Sequence, residues 1–366
     1  MNNTTNQDPT RLRIWQQNLN KSRTAHLELI NSPLHHNWDL ILLQEPYIDS
    51  YGNTKATTKW RTIYPSSRYS SHSTIRSVIL VNANLDTNHW NQISLPETND
   101  ITALQFQGPY GRLSIFNIYN DCLHSDTLIT LNHHISTHRR EFCRDEHDHV
   151  LWCGDFNRHH PLWDEERNHH LFTAKALDDA KLLIEMIADH NMTMSLPQGI
   201  PMLQAMATGN WTRPDNVFCT ENTIEHIVSC DTSPHQRGPG TDHVPIQTVI
   251  NLPTEQKGLP PSYNFRMVDW EVFNEELAAR IAEIPEPTAI LSEEQLSRAI
   301  EDLTATLQDV IRTTVPLSKP CPHTKRWWNM ELDKLKKSTN KLSNTAYKFR
   351  AVPDHPSHEE LRVVRN

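Results

Sequence analysis

Short apolar or alternating runs, each bounded by Asn, Asp, Gly or Pro, recur along the first 250 residues, at 12–15, 40–43, 77–81, 101–106, 113–119, 150–153, 217–219, 226–229 and 244–250. Runs of this kind predict strands. Between them, helical spacing shows over 22–30, 126–142 and most clearly 174–190, where Leu177, Ala180, Leu183, Ile184 and Ile187 share a face. So many strands exclude a helical bundle, and their alternation with helices predicts an α/β sandwich. The pattern breaks at 252–263, where Pro253, Pro260 and Pro261 predict a linker and a domain boundary. Three amphipathic helices follow, marked by Val272, Phe273, Leu277 and Ile281; by Leu296, Ile300, Leu303, Leu307 and Ile311; and by Trp328, Leu332, Leu335, Leu342, Ala346 and Phe349. Each has a single apolar stripe and needs a partner surface. No internal repeat or low-complexity tract is visible.

Composition narrows the class. The 366 residues suffice for two to three domains, and no stretch approaches the roughly 18 apolar residues needed to span a bilayer. Residues 1–9 are polar and lack a basic flank followed by an apolar run, so no secretory signal is read. Six scattered cysteines fit reduced thiols of the cytosol or nucleus rather than a disulfide framework. A net charge of -9 argues at first against nucleic acid, but its distribution is uneven. Lys and Arg number 19 against 27 Asp and Glu over residues 1–252, 6 against 12 over 253–324, and 10 against 5 over 325–366. An acidic body with a basic tail is compatible with a carboxylate-rich metal site followed by a phosphate-contacting helix, and equally with solvated faces. For the last helix, with Lys334, Lys336, Lys337, Lys341, Lys348 and Arg350 opposite its apolar stripe, the solvated face is the favoured reading.

Candidate chemistry collects just after the predicted strands. Asn18 follows the first; Glu45 follows the apolar run 40–43 and then Gln44; Asp155 and Asn157 follow 150–153 and Gly154; Asp242 and His243 lie between Gly238, Pro239, Gly240 and the strand from Val244. Singly, each has a bland reading as a turn or cap. Together, three carboxylates, two amides and a histidine at strand ends make an oxygen-rich set suited to a hard cation such as Mg²⁺.

The motifs in order are Asn18, Gln44 with Glu45, Tyr119 with Asn120, Gly154 to Asn157, Asp215, and Thr241, Asp242 and His243. Over about 230 residues they resemble the endonuclease/exonuclease/phosphatase superfamily, the metal-dependent phosphodiesterases with the DNase I-like fold. The resemblance narrows to the endonuclease domain of non-LTR retrotransposons through residues 18–22, the run from Gly154 to Trp163 with His159, His160, Pro161 and Leu162, the segment from Asn264 to Phe273, and Arg326 to Leu332. It implies a four-layered α/β sandwich of two mainly antiparallel sheets over 1–252, a Pro-rich linker over 253–263, and a helical region over 264–366 that would precede a reverse transcriptase. With no Tyr/Phe-Ala-Asp-Asp polymerase motif before Asn366, the chain is expected to be a fragment, a truncated copy or an endonuclease-only reading frame.

The resemblance also implies roles. Glu45 would ligate Mg²⁺ (Mn²⁺ as a substitute), with Asn18 and Asp242 in the metal shell. Asp155 would orient or deprotonate the attacking water, and Asn157 would hold the phosphate. His243, its ring oriented by Asp215, would hydrogen-bond a non-bridging oxygen, and Tyr119 and Asn120 would complete the phosphate cradle. The expected substrate is double-stranded DNA, nicked to leave a 3′ hydroxyl, and the expected location is the nucleus or the cytoplasm. Alternatives are an apurinic/apyrimidinic repair endonuclease, an inactive nucleic-acid-binding remnant, and a phosphatase of sugar or lipid phosphates on the same scaffold. One departure bears on the Asp215–His243 pair: Pro214 precedes Asp215, and proline cannot donate to a strand ladder. The adjacent histidine pairs lack zinc-ligand spacing and read as surface residues. His159, His160 and Trp163 either border a DNA groove or form a packed loop.

Overall fold

The apolar runs form strands, and their period of two decides which sheet face each side chain takes. The computed structural model describes residues 10–70, 73–95, 97–142, 147–205, 208–254, 263–285, 289–317 and 330–365. One six-stranded sheet is built from β1 (Leu12–Asn18), β2 (Leu40–Gln44), β3 (Trp60–Ile63), β4 (Ser77–Asn82) and, further along the chain, β13 (Ile227–Thr232) and β14 (Ile246–Ile250). The second contains β5 (Trp90–Ile93), β6 (Ile101–Gly108), β7 (Gly111–Tyr119), β8 (His149–Asp155), β9 (Met192–Met194) and β12 (Asp215–Thr220); β10 (Leu203–Gln204) and β11 (Trp211–Thr212) form a separate hairpin. The orders are β13-β14-β1-β2-β4-β3 and β5-β6-β7-β8-β12-β9. Both sheets are antiparallel except at one central pair, β1–β2 and β7–β8. A parallel pair needs a crossover, and each crossover carries a helix: α1 (Arg23–Asn31) in the first sheet, α2 (Asp126–Thr137) with α3 (Arg139–Phe142) in the second. Ser22 caps α1 by accepting the Ala25 N–H at 3.1 Å.

Alternation sorts the side chains into layers. Leu12, Ile14, Leu40, Leu42, Ile79 and Val81 face Leu104, Leu113, Ile115, Leu151, Cys153 and Val217 of the opposite sheet. Their neighbours Trp15, Ile41, Leu43, Val78 and Leu80 point outward onto Ala25, Leu29 and Ile30 of α1. On the other outer face, Phe116, Ile118, Trp152 and Phe218 meet Leu128 and Leu131 of α2 and Ala180, Leu183 and Met186 of α4 (Ala174–Asp189), and the short α5 (Glu221–Ile224) lies between β12 and β13 in the chain. The fold is therefore a four-layered α/β sandwich, each fully buried side chain of this size contributing roughly 1.5–3 kcal/mol. Gly154 is a steric necessity where β7 and β8 approach, because a Cβ there would lie 1.9 Å from the Ile118 carbonyl oxygen. Strands β3, β5 and β9 to β11 carry no clear apolar run, and the single helix predicted over 126–142 is two helices divided at His138.

The chain divides into two units, Met1–Lys257 with Met330–Asn366, and Gly258–Asn329. In the second, α6 (Trp270–Ile281) and α7 (Glu293–Thr314) pack through Phe273, Val310 and Val315, while Leu296, Ile300, Leu303 and Leu307 of α7 are exposed. In the first, α8 (Met330–Lys348) and α9 (Pro356–Arg365) accompany the sandwich. Cys143, Cys321 and Trp328 lie outside the described residues; the described cysteines Cys122, Cys153, Cys219 and Cys230 are free thiols. No described helix is long and apolar enough to cross a membrane.

Candidate active site

The topology brings the six motifs to one end. Parallel strands end on the same side, so the C-terminal ends of β1, β2, β7 and β8 deliver Asn18, Gln44 with Glu45, Tyr119 with Asn120, and Asp155 to one edge of the sandwich. The antiparallel strand β12 begins there, with Asp215 opposite Asp155, and His243 lies just ahead of β14, whose Ile246 pairs with Gln16. Parity then aims them. Residues 12, 14 and 18, 40, 42 and 44, 151, 153 and 155, and 215, 217 and 219 alternate onto the face between the sheets, so the intersheet core changes from apolar to polar as it reaches this edge.

The polar groups interlock. Asn18 donates from Nδ2 to Asp155 Oδ2 at 2.8 Å, and its Oδ1 accepts the Asn20 N–H at 2.7 Å. Asp155 Oδ1 accepts the Asn157 N–H at 3.0 Å. His243 Nδ1 meets Asp215 Oδ2 at 2.7 Å, and its Nε2 faces Asp155 Oδ2 at 4.0 Å and Asp242 Oδ1 at 3.9 Å. Those last two separations are too long for hydrogen bonds, leaving Nε2 turned toward a gap between carboxylates. Thr241 donates to the Asn18 carbonyl at 2.8 Å and accepts the His243 N–H at 3.2 Å, tying the two sequence ends of the domain together. Glu45 stands beside it, its carboxylate 2.9 Å from Lys21 Nζ. Pro214 does not disturb the pair: it lies just outside β12, and its carbonyl accepts the Phe156 N–H at 3.0 Å.

Two residues take different surroundings from those the motif suggests. Asn18 is the last residue of β1 itself rather than a loop residue after it. Asn120 is completely buried, and its amide donates to the carbonyls of Phe156 at 3.0 Å and Asp121 at 3.1 Å, which commits both of its hydrogens to the loop. Asn157 donates to the Asn120 carbonyl at 2.8 Å and keeps a second amide hydrogen. Trp163 is buried with its indole N–H on the Arg158 carbonyl at 3.1 Å, so the segment after Asn157 is a packed loop at that position.

Electrostatics shift both titratable groups upward. Burial alone would push the His243 pKa down, yet the Asp215 carboxylate and its hydrogen bond, with Asp155 and Asp242, raise it to about 9, so the ring is an imidazolium at neutral pH. Asp155 is raised as well: burial, then the Asp215 charge, hold its carboxyl well above the usual range. Tyr119 is kept a phenol by burial and by Glu45 and Asp155. Asp155, Asp215 and His243 bring ligand atoms within 4.8 Å of one another. An imidazolium has no lone pair to give, however, so the oxygen donors of Glu45, Asp242, Asp155 and Asn18 suit a cation better than the ring. Within ion-pair distance the four carboxylates Glu45, Asp155, Asp215 and Asp242 meet Lys21 and the His243 ring, an oxygen-rich set of the kind that suits a hard divalent ion.

Several supporting residues escape a reading of motifs. Asn117, fully buried in β7, accepts from Gln44 Nε2 and donates to the carbonyls of Leu43 and Val78 at 3.0 Å, bridging the two sheets beneath the site. A polar residue at an inward position of an apolar strand was its available signal. Arg76 grips Asp100 through two bonds of 2.8 and 2.7 Å and Asp121 at 2.9 Å; its guanidinium lies 4.7 Å from the Tyr119 ring centroid, and its carbonyl accepts the Glu45 N–H at 2.9 Å. Buried Arg213 donates to the carbonyls of Trp163, Pro197 and Leu196 and to Asn216, bracing the turn into Asp215. Four of the five non-glycine residues with left-handed backbone among those described, Asn20, Lys21, Glu45 and Asn157, lie at this edge, where strain of about 1–3 kcal/mol each is concentrated.

Comparison with known proteins bears on the family and the fold. Residues 113–247 match the family described as Endonuclease-reverse transcriptase. The 115 kDa protein in type-1 retrotransposable element R1DM of Drosophila melanogaster is 30% identical over 104 residues, which cover 26% of this chain and 10% of that protein. The chain is similar to the endonucleases of non-LTR retrotransposons. It spans about a tenth of the length of that curated relative. Among solved structures, the endonuclease domain of TRAS1, a telomere-specific non-LTR retrotransposon, superposes with a TM-score of 0.50 at 18% identity, covering 66% of this chain and 99% of that one. The AP endonuclease LMAP from Leishmania major gives 0.53 at 13% identity over 68% and 90%. At these identities the solved structures speak for the fold, which is DNase I-like.

Proposed function

We propose that this chain is a metal-dependent endonuclease that nicks double-stranded DNA to prime retrotransposition. The observation that carries the reading is geometric: Asp155, Asp215 and Asp242 converge on His243, whose Nδ1 is held by Asp215 and whose Nε2 is turned toward the gap between Asp155 and Asp242. A carboxylate and an imidazole held on opposite sides of one gap, each fixed by a second polar group, can serve as base and acid to a phosphodiester between them. Similarity to the R1DM protein supports the retrotransposon setting. In this reading residues 1–252 are the catalytic domain, residues 264–366 are the helical region beyond it, and a reverse transcriptase completes the full element.

Glu45, with Asn18 and Asp242, would hold Mg²⁺ or substituting Mn²⁺; when bound, the ion supplies charge stabilisation to the phosphoryl oxygens. Asp155, fixed by the Asn18 amide and the Asn157 N–H, receives the proton of the attacking water. His243, fixed by Asp215, donates from Nε2 to a non-bridging oxygen as negative charge develops there. Tyr119 and the second amide hydrogen of Asn157 offer further donors, while Asn120 shapes the loop that presents them. Nicking of supercoiled plasmid with and without Mg²⁺ tests the proposal. Glu45→Ala and His243→Ala are each expected to lose about 10²–10³ in rate or more; unchanged nicking by either overturns the site. A parallel assay on an abasic duplex decides between nicking of intact DNA and repair-type incision.

A further inference from the structure

Helix α8 follows the helical unit in sequence, yet it packs against the sandwich beside the β10–β11 hairpin. Tyr347 donates from its hydroxyl to the Pro201 carbonyl at 2.7 Å, and its ring meets the Trp211 indole edge-on, with centroids 5.2 Å apart. Ser343 donates to the Pro234 carbonyl at 3.0 Å, and Ala346 is buried beside them. Just past the helix, Arg350 pairs with Glu165 through bonds of 2.7 and 3.1 Å, and its guanidinium lies 4.6 Å from the Tyr347 ring centroid.

The other side of the hairpin belongs to the site. Met202, next to Pro201, accepts the Val244 N–H at 2.7 Å and donates to the Thr212 carbonyl at 3.0 Å. Leu203 forms an antiparallel bridge with His243, and Gln204 donates to the Asp242 carbonyl at 3.2 Å. Besides their bonds to Gln17 and Thr241, Asp242, His243 and Val244 are thus joined through the backbone to a two-strand hairpin that belongs to neither large sheet, and Tyr347 contacts that hairpin from behind. A hairpin this short has little stability of its own and needs an external support.

We propose that α8 is a clamp that fixes the β10–β11 hairpin against the Asp242–His243 segment, with Tyr347 as its positioning residue. The kinetic consequence rests on the nuclease reading; the structural one does not. In the full chain, Tyr347→Ala speeds hydrogen exchange at the Met202 and Val244 amides at least tenfold, and it lowers kcat for nicking about tenfold while KM stays within twofold, because His243 acts on the transition state. Tyr347→Phe keeps the ring on Trp211, loses the hydroxyl's bonds to the Pro201 carbonyl and to Thr232 Oγ1, and shows roughly a third of each effect on a logarithmic scale. Leu335→Ala, on the exposed face of α8, changes neither. The clamp is overturned if Tyr347→Ala leaves the Val244 amide exchanging as in the parent, or if exchange accelerates while kcat holds within twofold. Should Tyr347→Ala not fold, Tyr347→Phe decides: the clamp is overturned if its Val244 amide exchanges as in the parent, or if exchange accelerates with kcat unchanged. Should the parent chain fail to nick any duplex, the nuclease reading falls and the exchange result alone upholds or overturns the clamp.

Discussion

Arg76 offers the sharpest test of how the site is supported. Arg76→Met keeps most of the side-chain volume and removes the charge that joins Asp100, Asp121 and Tyr119. Removing one partner of a buried pair costs about 3–5 kcal/mol, since it strands the other charge. Here Arg76, Asp100 and Asp121 are 27%, 14% and 30% exposed, so water takes up part of that penalty, and about 2–3 kcal/mol is expected. The Tyr119 ring also loses a cation contact worth about 0.5–1 kcal/mol. Asp121 adds a pH signature. Its partial burial works upward, but the Leu123 N–H, Arg76 and His124 outweigh it and hold the pKa down to about 2. A folded pKa below the unfolded value contributes stability at neutral pH that is lost as pH falls from about 4 toward 2, and Arg76→Met flattens that limb. Urea unfolding followed by circular dichroism measures the loss, and a double-mutant cycle with Asp100→Asn isolates the pair. A loss under about 0.5 kcal/mol, or a cycle with no coupling, refutes the view that this cluster anchors Tyr119 and the backbone at Glu45.

Three other substitutions probe the scaffold. Gly154→Ala sets a Cβ into the Ile118 carbonyl, so the β7–β8 pair must part; a loss above about 4 kcal/mol or no folded protein is expected, and a variant within 1 kcal/mol of the parent contradicts the close approach. Asn117→Leu leaves the Gln44 amide and the Leu43 and Val78 carbonyls short of a partner between the sheets, for about 2–4 kcal/mol of destabilisation by the same urea assay. His149 is pushed down to about 4 by burial and then by neighbouring His226, so the fold favours its neutral ring. Its stabilisation is complete above the unfolded value near 6.5 and is lost as pH falls toward 4, by about 1–2 kcal/mol, and His149→Gln should remove that part of the acid slope.

The alternating runs settled more than secondary structure. Because Leu40, Leu42, Leu151, Cys153, Val217 and Cys219 fix the inward face of their strands, the same parity already aims Gln44, Asp155 and Asp215 into the space between the sheets. The sequence therefore contained the sandwich, its polar edge and the order of the six motifs. Short strands such as β3 and β5 were invisible because half-exposed edge residues carry no apolar run, and Arg76 was invisible because its partners Asp100 and Asp121 come from other segments of the chain.

What only the tertiary structure decided is the set of separations and the support behind them. Local sequence specifies a strand through propensity and alternation, which act within a few residues. The meeting of Asp215 with His243 and the upward displacement of both the His243 and the Asp155 pKa depend on distances across sheets and on shared burial, and neither exists until the whole core has closed. The same holds for α8: its apolar stripe announces that it needs a partner, but the partner, a hairpin joined to the catalytic segment, is chosen by shape and hydrogen bonding in three dimensions.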